Sequence, residues 1–262
     1  MTNTDEMPNR PTLNELMKSY ERAHASKLTP KSYAIIRVDG KSFHNYTRHL
    51  GKPYDEQFMA DMDSVAVRLC QDIPNARLGY VQSDEISVLL TDWSTEHDRD
   101  TKMWFDGKIQ KMVSVSASMS STMLNIARPP VSFEKAALFD SRVFNLPDFE
   151  TVEKYFMWRY LDAKKNSVSM AAHNMFSPKQ VDGLTTQERV ELCASKGVDW
   201  NTFPAGFKNG RVVLQKSEPG STSYVNKRTN EEHTAEYGRK FWEAEPAEGL
   251  LERLSSLIPQ KA

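Results

Sequence analysis

Two aspartates, Asp39 and Asp84, stand where the chain changes character most abruptly. Asp39 closes the apolar run 33–38 and is followed at once by Gly40, Lys41, Ser42, Phe43 and His44. Asp84 lies between two further apolar runs, with Ser83 before it and Glu85 after. Carboxylates are hard oxygen donors. With the Gly40 carbonyl they form a ligand set suited to Mg²⁺, which takes octahedral oxygen and keeps waters or phosphates as its remaining ligands. Two carboxylates holding two such ions activate a hydroxyl for attack on phosphorus and stabilise the leaving oxygen. Glycine at position 40 lets the backbone approach a metal or phosphate closely. Arg37, Lys41, Lys52, Lys108 and Lys111 are cations that could meet phosphate oxygens, and Phe43 and His44 offer a ring and an edge to a base.

Each residue also has an ordinary reading. An aspartate at a turn bonds its own backbone, a lone histidine sits on the surface, and lysines form a solvated face. The elements around the two aspartates decide which reading is sharper. The run 33–38, rich in β-branched and aromatic residues, reads as a central strand. Residues 55–73 place Phe58, Met62, Val65, Leu69 and Ile73 at helical steps. Two short strands, 76–82 and 86–91, follow with only Ser83, Asp84 and Glu85 between them, a hairpin without the usual Asn-Gly turn. A second helix spans 103–128 with a methionine-rich core stripe and ends at Pro129-Pro130, and 137–146 reads as a fourth strand. Preceded by a polar lead and a short helix over 13–25, this is a βαββαβ order, the pattern of an antiparallel ferredoxin-like sheet with both helices on one face. The fold class expected is α+β. In that topology strands one and three are neighbours, so Asp39 and Asp84 come to one edge of the sheet.

A third helix, 151–176, carries Arg159, Asp162 and Asn166 on one face between apolar flanks, a polar row that needs partners or a ligand. A short helix over 186–195 and an irregular remainder are expected beyond it. There, 205–230 holds Lys208, Arg211, Lys216, Lys227 and Arg228 against the single acid Glu218, a candidate surface for a nucleic-acid backbone. Domain organisation is read as a lead with a short helix over 1–30, a catalytic domain over 31–150, and a helical C-terminal part over 151–262 that packs on it.

Composition restricts the partners. A formal net charge of -1 argues against a uniformly basic surface but leaves room for a local basic groove. The two cysteines, Cys70 and Cys193, are far apart and outside any CxxC pattern, which fits a reducing, cytoplasmic setting without disulfides or a thiolate zinc site. No window has the apolar length of a signal peptide or a membrane span.

Seven stretches in order then resemble the tRNA-histidine guanylyltransferase family: RVDGKSFH (37–44), KPYD (52–55), GYVQSDEIS (79–87), FDGKIQKMVSVSAS (105–118), FDSRVFNLP (139–147), WRYLDAKKNSVSM (158–170) and KNGRVVLQK (208–216). The resemblance implies a polymerase-palm-like domain with two Mg²⁺ on Asp39, Gly40 and Asp84, and Glu85 beside them. It implies nucleotide contacts from Lys41, Ser42, Phe43, His44, Lys52, Asp55 and Ser83. Phosphate or 5′-end contacts would come from Arg37, Lys108, Lys111 and Arg142, with the Arg159, Asp162 and Asn166 row alongside. The implied reaction adds nucleotides to the 5′ end of tRNA in the 3′–5′ direction, after ATP or GTP activates the 5′-monophosphate. Family members are typically homotetramers. On the third helix the family's His-Ile-Asn-Asn-x-x-Asn run is replaced: Lys164 stands at the histidine and Met170 at the last asparagine, while Asn166 remains. This favours the polymerase-like branch, which resembles an RNA repair enzyme working against a template. The competing readings are a palm-fold nucleotide cyclase and a catalytically silent RNA-binding protein.

Overall fold

The computed structural model describes residues 11–93, 101–225, 228 and 232–260. Helix α1 (Leu13–Ala23) opens with a capping box, the Thr12 hydroxyl accepting from Glu15 N–H and the Glu15 carboxylate accepting in return, and none of its residues is buried. The sheet helices and strands follow: β1 (Tyr33–Gly40), the single turn α2 (Phe43–Tyr46), α3 (Glu56–Asp72), β2 (Ala76–Gln82), β3 (Glu85–Leu90), α4 (Ile109–Ala127), β4 (Phe139–Leu146) and the long α5 (Phe149–Met175). Beyond α5 come α6 (Pro178–Val181), α7 (Thr186–Ala194), α8 (Ala205–Asn209), β5 (Arg211–Val225), β6 (Glu232–Pro246) and α9 (Leu250–Leu257).

The strands form one antiparallel sheet in the order β4-β1-β3-β2-β5-β6. Its first four members are the expected βαββαβ unit, with β1 and β3 side by side. Alternation along β1 separates two cores. Ala34, Ile36 and Val38 pack under α3 and α4 with Met62, Leu69 and Met112, while Tyr33 and Ile35 pack under α5 and α9 with Phe156 and Leu254. A third cluster, around Val168, Ala172, Cys193 and Trp200, fastens α7 to the second half of α5. Cys70 and Cys193 are free and buried, and no described helix is long and apolar enough to cross a membrane.

Three expectations are corrected. The C-terminal part is not irregular: β5 and β6 are strands of 15 residues each, and β5 extends the sheet by pairing with β2. Only Arg211, Val212, Val213 and Leu214 of β5 are buried; Gly, Pro, Ser and Thr make up much of the exposed remainder, so the strand has no apolar alternation to read. The second helix starts at Ile109 because Phe105 and Asp106 adopt left-handed conformations (φ 50° and 57°) that no α-helix continues. The hairpin turn is tighter than read: Ser83 at φ 46° supplies the positive dihedral that Asn-Gly usually provides, and Glu85 already belongs to β3. The lead over 1–10 and Lys227 lie outside the described residues.

β5 is tied to the body by charge as well as by ladder bonds. Arg211, 4% exposed, donates from Nε to Asp63 Oδ1 on α3 at 2.7 Å. Its remaining N–H groups reach the Gly206 and Met59 carbonyls at longer range. Removing one member of such a buried pair strands the other charge. Asp63→Ala is therefore expected to cost about 3–5 kcal/mol in a urea titration, against a far smaller loss for an exposed control such as Glu150→Ala. An equal, small loss in both would show that the pair does not anchor β5.

Candidate active site

Register gathers the polar residues. Asp39 lies opposite Glu85 on β3 and opposite Asp140 on β4, and Arg37 lies opposite Ser87 and Arg142. Directly paired residues point to one face, here the face covered by α5, so carboxylates and guanidinium groups alternate along the same surface. Asp84 occupies the β2–β3 turn, and Gly40 N–H donates to its carbonyl at 3.2 Å. A Cβ at position 40 would sit 2.7 Å from Asp84 Oδ2 and 2.3 Å from the Phe43 ring, so only glycine admits this approach.

The carboxylates are held at an electrostatic cost. Burial, joined by repulsion from Asp39 and Glu85, pushes the Asp84 carboxyl up to about 6 despite hydrogen bonds from its own backbone and Ser83. Burial and then the neighbouring Asp140 raise Asp39, while Arg142, Arg37 and Arg159 pull it back. Arg142 stands between the two strand aspartates, 3.8 Å from Asp39 and 3.5 Å from Asp140. Asp140 was not singled out from the sequence. Its signal was available, since it lies two residues before Arg142 on the same strand and therefore on the same face.

The polar row on α5 closes the site from above. Arg159, 5% exposed, donates to Glu85 Oε2 at 2.7 Å and lies 3.2 Å from Asp162 Oδ2. Asp162 Oδ2 also accepts from Gln82 at 3.3 Å and from Asn166 at 3.2 Å. Glu85 thus gives one carboxylate oxygen, Oε2, to Arg159. Four polar atoms of this region, Arg37 Nε, Gln82 Oε1, Glu85 Oε1 and Arg159 Nε, are buried without a hydrogen-bond partner. Buried polar atoms left open in this way call for a partner, a ligand or water.

Beside the Ser83-Asp84 turn lies a mainly apolar pocket, lined among others by Leu50, Gly51, Phe58, Asn166, Met170 and Phe207. Lys52 and Ser83 are on its wall; Lys52 Nζ donates to the Thr47 carbonyl at 3.0 Å. Asp55, also on the wall, accepts from Phe58 and Gly51 N–H as the cap of α3, and these bonds hold its carboxyl below the usual range. His44 is exposed on α2, and Lys41 and Ser42 line a second, polar cleft together with His49 and Lys135.

Several candidates are elsewhere. Phe43 is a core residue, packed on Tyr46, Phe58 and Phe139, and has no face left for a base. Lys108 and Lys111 stand at the start of α4, on the opposite face of the sheet. Ser121 is the α4 residue that accepts from Phe139 N–H at the site end, so at ~1.5 Å per residue these lysines lie about 15–20 Å away along the helix. Arg211 is spent on Asp63, Lys216 on Glu243 and Glu245, and Lys208 donates to the Asn201 carbonyl near the Trp200 ring. Within the basic stretch, β6 brings acids across from β5 to neutralise Lys216, and Asp63 on α3 neutralises Arg211.

Comparison with known proteins gives the family. The family model described as tRNAHis guanylyltransferase matches residues 14–147. A bacterial tRNA(His) guanylyltransferase-like protein, solved in complex with ATP, superposes with a TM-score of 0.71 at 37% identity, covering 78% of this chain and 88% of that one. Another, solved with GTP, gives a TM-score of 0.69 at 28% identity over 95% of this chain and 97% of that one. The tRNA(His) guanylyltransferase of Saccharomyces cerevisiae is 26% identical over 211 residues, 73% of this chain and 86% of its own. The chain belongs to the tRNAHis guanylyltransferase family.

Within that family the donor set can be tested against a divalent cation. Asp39, Asp84 and the Gly40 carbonyl are all hard oxygens, and no ion pair balances Asp84 among the described residues. The residues fit the ion. Without it, the ionised Asp84 is disfavoured in the fold. The penalty is absent below the ordinary value of 3.8, grows as pH rises towards about 6, and is complete above it. Asp84→Asn is expected to stabilise the metal-free protein at pH 7.5 by up to about 3 kcal/mol, and the gain should vanish near pH 4. Mg²⁺ should raise the Tm of the parent and not of the variant. A melting series over pH with and without Mg²⁺ checks both; a destabilised variant at every pH would refute the reading.

Proposed function

We propose that this chain is a tRNA 5′-nucleotidyltransferase that extends RNA in the 3′–5′ direction, using nucleoside triphosphates and Mg²⁺ held by Asp39, Asp84 and the Gly40 carbonyl. The observation that carries the proposal is the meeting of β1's end with the β2–β3 turn. There two part-buried carboxylates adjoin an apolar pocket on one side and the Arg37–Arg142 pair on the other. Divalent ions bound there would supply Lewis acidity at the reacting phosphate and lower the pKa of the attacking hydroxyl.

The chain's own residues provide the positioning. The pocket beside Ser83 suits a nucleotide base: its walls are aliphatic and aromatic, with Asn166 and Lys52 as polar groups at its margin. Arg37 and Arg142 suit the RNA 5′-phosphate, an oxygen of which first attacks the α-phosphorus of the activating ATP or GTP with loss of pyrophosphate. The 3′-hydroxyl of the incoming nucleotide then attacks that phosphate and displaces the nucleoside monophosphate. Arg159 balances the charge of Glu85 beside the aspartates, and Asp39 and Asp84 are the reactive pair. Lys164 and Met170, in place of the family's histidine and asparagine, support the templated repair branch; Met170 lines the pocket and Lys164 lies over the Trp200 ring. The apolar, exposed face of α1, with Leu13, Leu16, Met17 and Tyr20, supports assembly into a homotetramer.

The test uses tRNA lacking its first 5′ nucleotide and bearing a 5′-monophosphate, with Mg²⁺, ATP and each nucleoside triphosphate in turn. Growth by the nucleotide complementary to the 3′ partner is expected, and Asp39→Ala and Asp84→Ala should abolish it while the protein stays folded by circular dichroism. Addition of guanosine alone, on histidine tRNA alone, would assign the chain to the dedicated branch. Absence of growth with every nucleotide would overturn the proposal in favour of a cyclase or a silent RNA binder.

A further inference from the structure

Trp158 is the one large aromatic side chain of α5 that the fold leaves half in solvent among the described residues, at 52% exposure. It is nevertheless held from below. The Arg159 guanidinium lies 3.7 Å from its ring centroid, and that guanidinium is itself locked by Glu85 and Asp162. Tyr155 meets the indole edge-on with centroids 5.9 Å apart. Arg37 also reaches the ring, with Cζ 5.6 Å from the centroid. The indole is therefore fixed in orientation by groups that are part of the site, while half its surface stays wet. Fixing an aromatic ring in solvent gives the folded chain little; it suits a flat partner that has yet to arrive.

Chemistry narrows that partner. Arg37 is the cross-strand neighbour of Arg142, and Arg142 reaches Asp39, so the ring adjoins a pair of guanidinium groups next to the reacting position. An aromatic face beside two arginines matches a nucleotide, base on the ring and phosphate on the guanidinium groups. The pocket beside Ser83 lies on the other side of the carboxylates and suits the triphosphate substrate. We propose that Trp158 is the stacking platform for the 5′-terminal base of the RNA, which sets the 5′-phosphate against Arg37 and Arg142. This rests on the nucleotidyltransferase reading and adds to it the residue that holds the RNA end. Stacking does not discriminate strongly between bases, so the platform would accept any terminal nucleotide and leave choice to pairing with the opposite strand.

The experiment measures binding of a 5′-monophosphorylated RNA hairpin to the full chain without Mg²⁺, by fluorescence anisotropy. The hairpin is used intact and with its 5′-terminal nucleotide abasic. The parent should prefer the intact hairpin by about tenfold, the gain expected from one base–aromatic stack. Trp158→Phe should keep most of that preference. Trp158→Ala should lose it, binding both hairpins as the parent binds the abasic one, with ATP affinity unchanged. Persistence of the preference in Trp158→Ala would overturn the assignment. So would a parent that extends RNA yet shows no preference, leaving the broader function intact. A parent that neither binds nor extends any 5′-phosphorylated RNA would sink the nucleotidyltransferase reading, and this inference with it. If Trp158→Ala changed only the oligomeric state in sedimentation, the patch with Met157 and Leu161 would be a subunit contact and the assignment would fall.

Discussion

The pairing of β1 with β3 is the constraint on which the site depends. It brings Gly40 against the β2–β3 turn, closely enough that no side chain fits at position 40, and so puts Asp39 and Asp84 at one point from 45 positions apart in the chain. The same register sets Glu85 and Asp140 across from Asp39 and lines up Arg37 with Arg142. A slip of β1 by one residue would turn Arg37 and Asp39 to the α3–α4 face, away from Glu85, Asp140 and Arg142, and bring Val38 out in their place. The apolar alternation of β1 therefore does two jobs, filling both cores and fixing the orientation of the charges.

Holding like charges together requires a framework that does not yield. The two cores on either side of the sheet supply it, and α5 supplies the cover. Its inner face is apolar at Val152 and Phe156 and changes at Arg159 to a charged network without leaving the helix. The helix is anchored where it is apolar, which forces the network to meet Glu85 and Gln82 where it is polar. The raised Asp84 carboxyl is a cost of that arrangement. Such costs are common at sites whose charges are completed by a ligand.

Cations illustrate how far proximity in sequence can mislead. The stretch 205–230 reads as basic, yet the acids that neutralise Lys216 lie on β6 and the acid that buries Arg211 lies on α3. Lys108 and Lys111 lie in one of the family-like stretches but are carried away by the length of α4. Trp158, by contrast, is set apart by its exposure and its arginine neighbours, neither of which the sequence displays.

The βαββαβ unit, the placing of Asp39 and Asp84 at adjacent strand ends, and the polar row on α5 are legible from the residues in chain order. These depend on local periodicity and on a topology with few alternatives. Tertiary structure alone decided that Phe43 is core, that Asp55 is a helix cap, that Glu85 belongs to Arg159, and that Asp140 joins the cluster. It also decided that β5 and β6 extend the sheet. In each case the deciding partner is remote in the chain, and a side chain's charge or polarity carries no record of which distant group will meet it. Periodicity says which way a residue points; only packing says what it finds there.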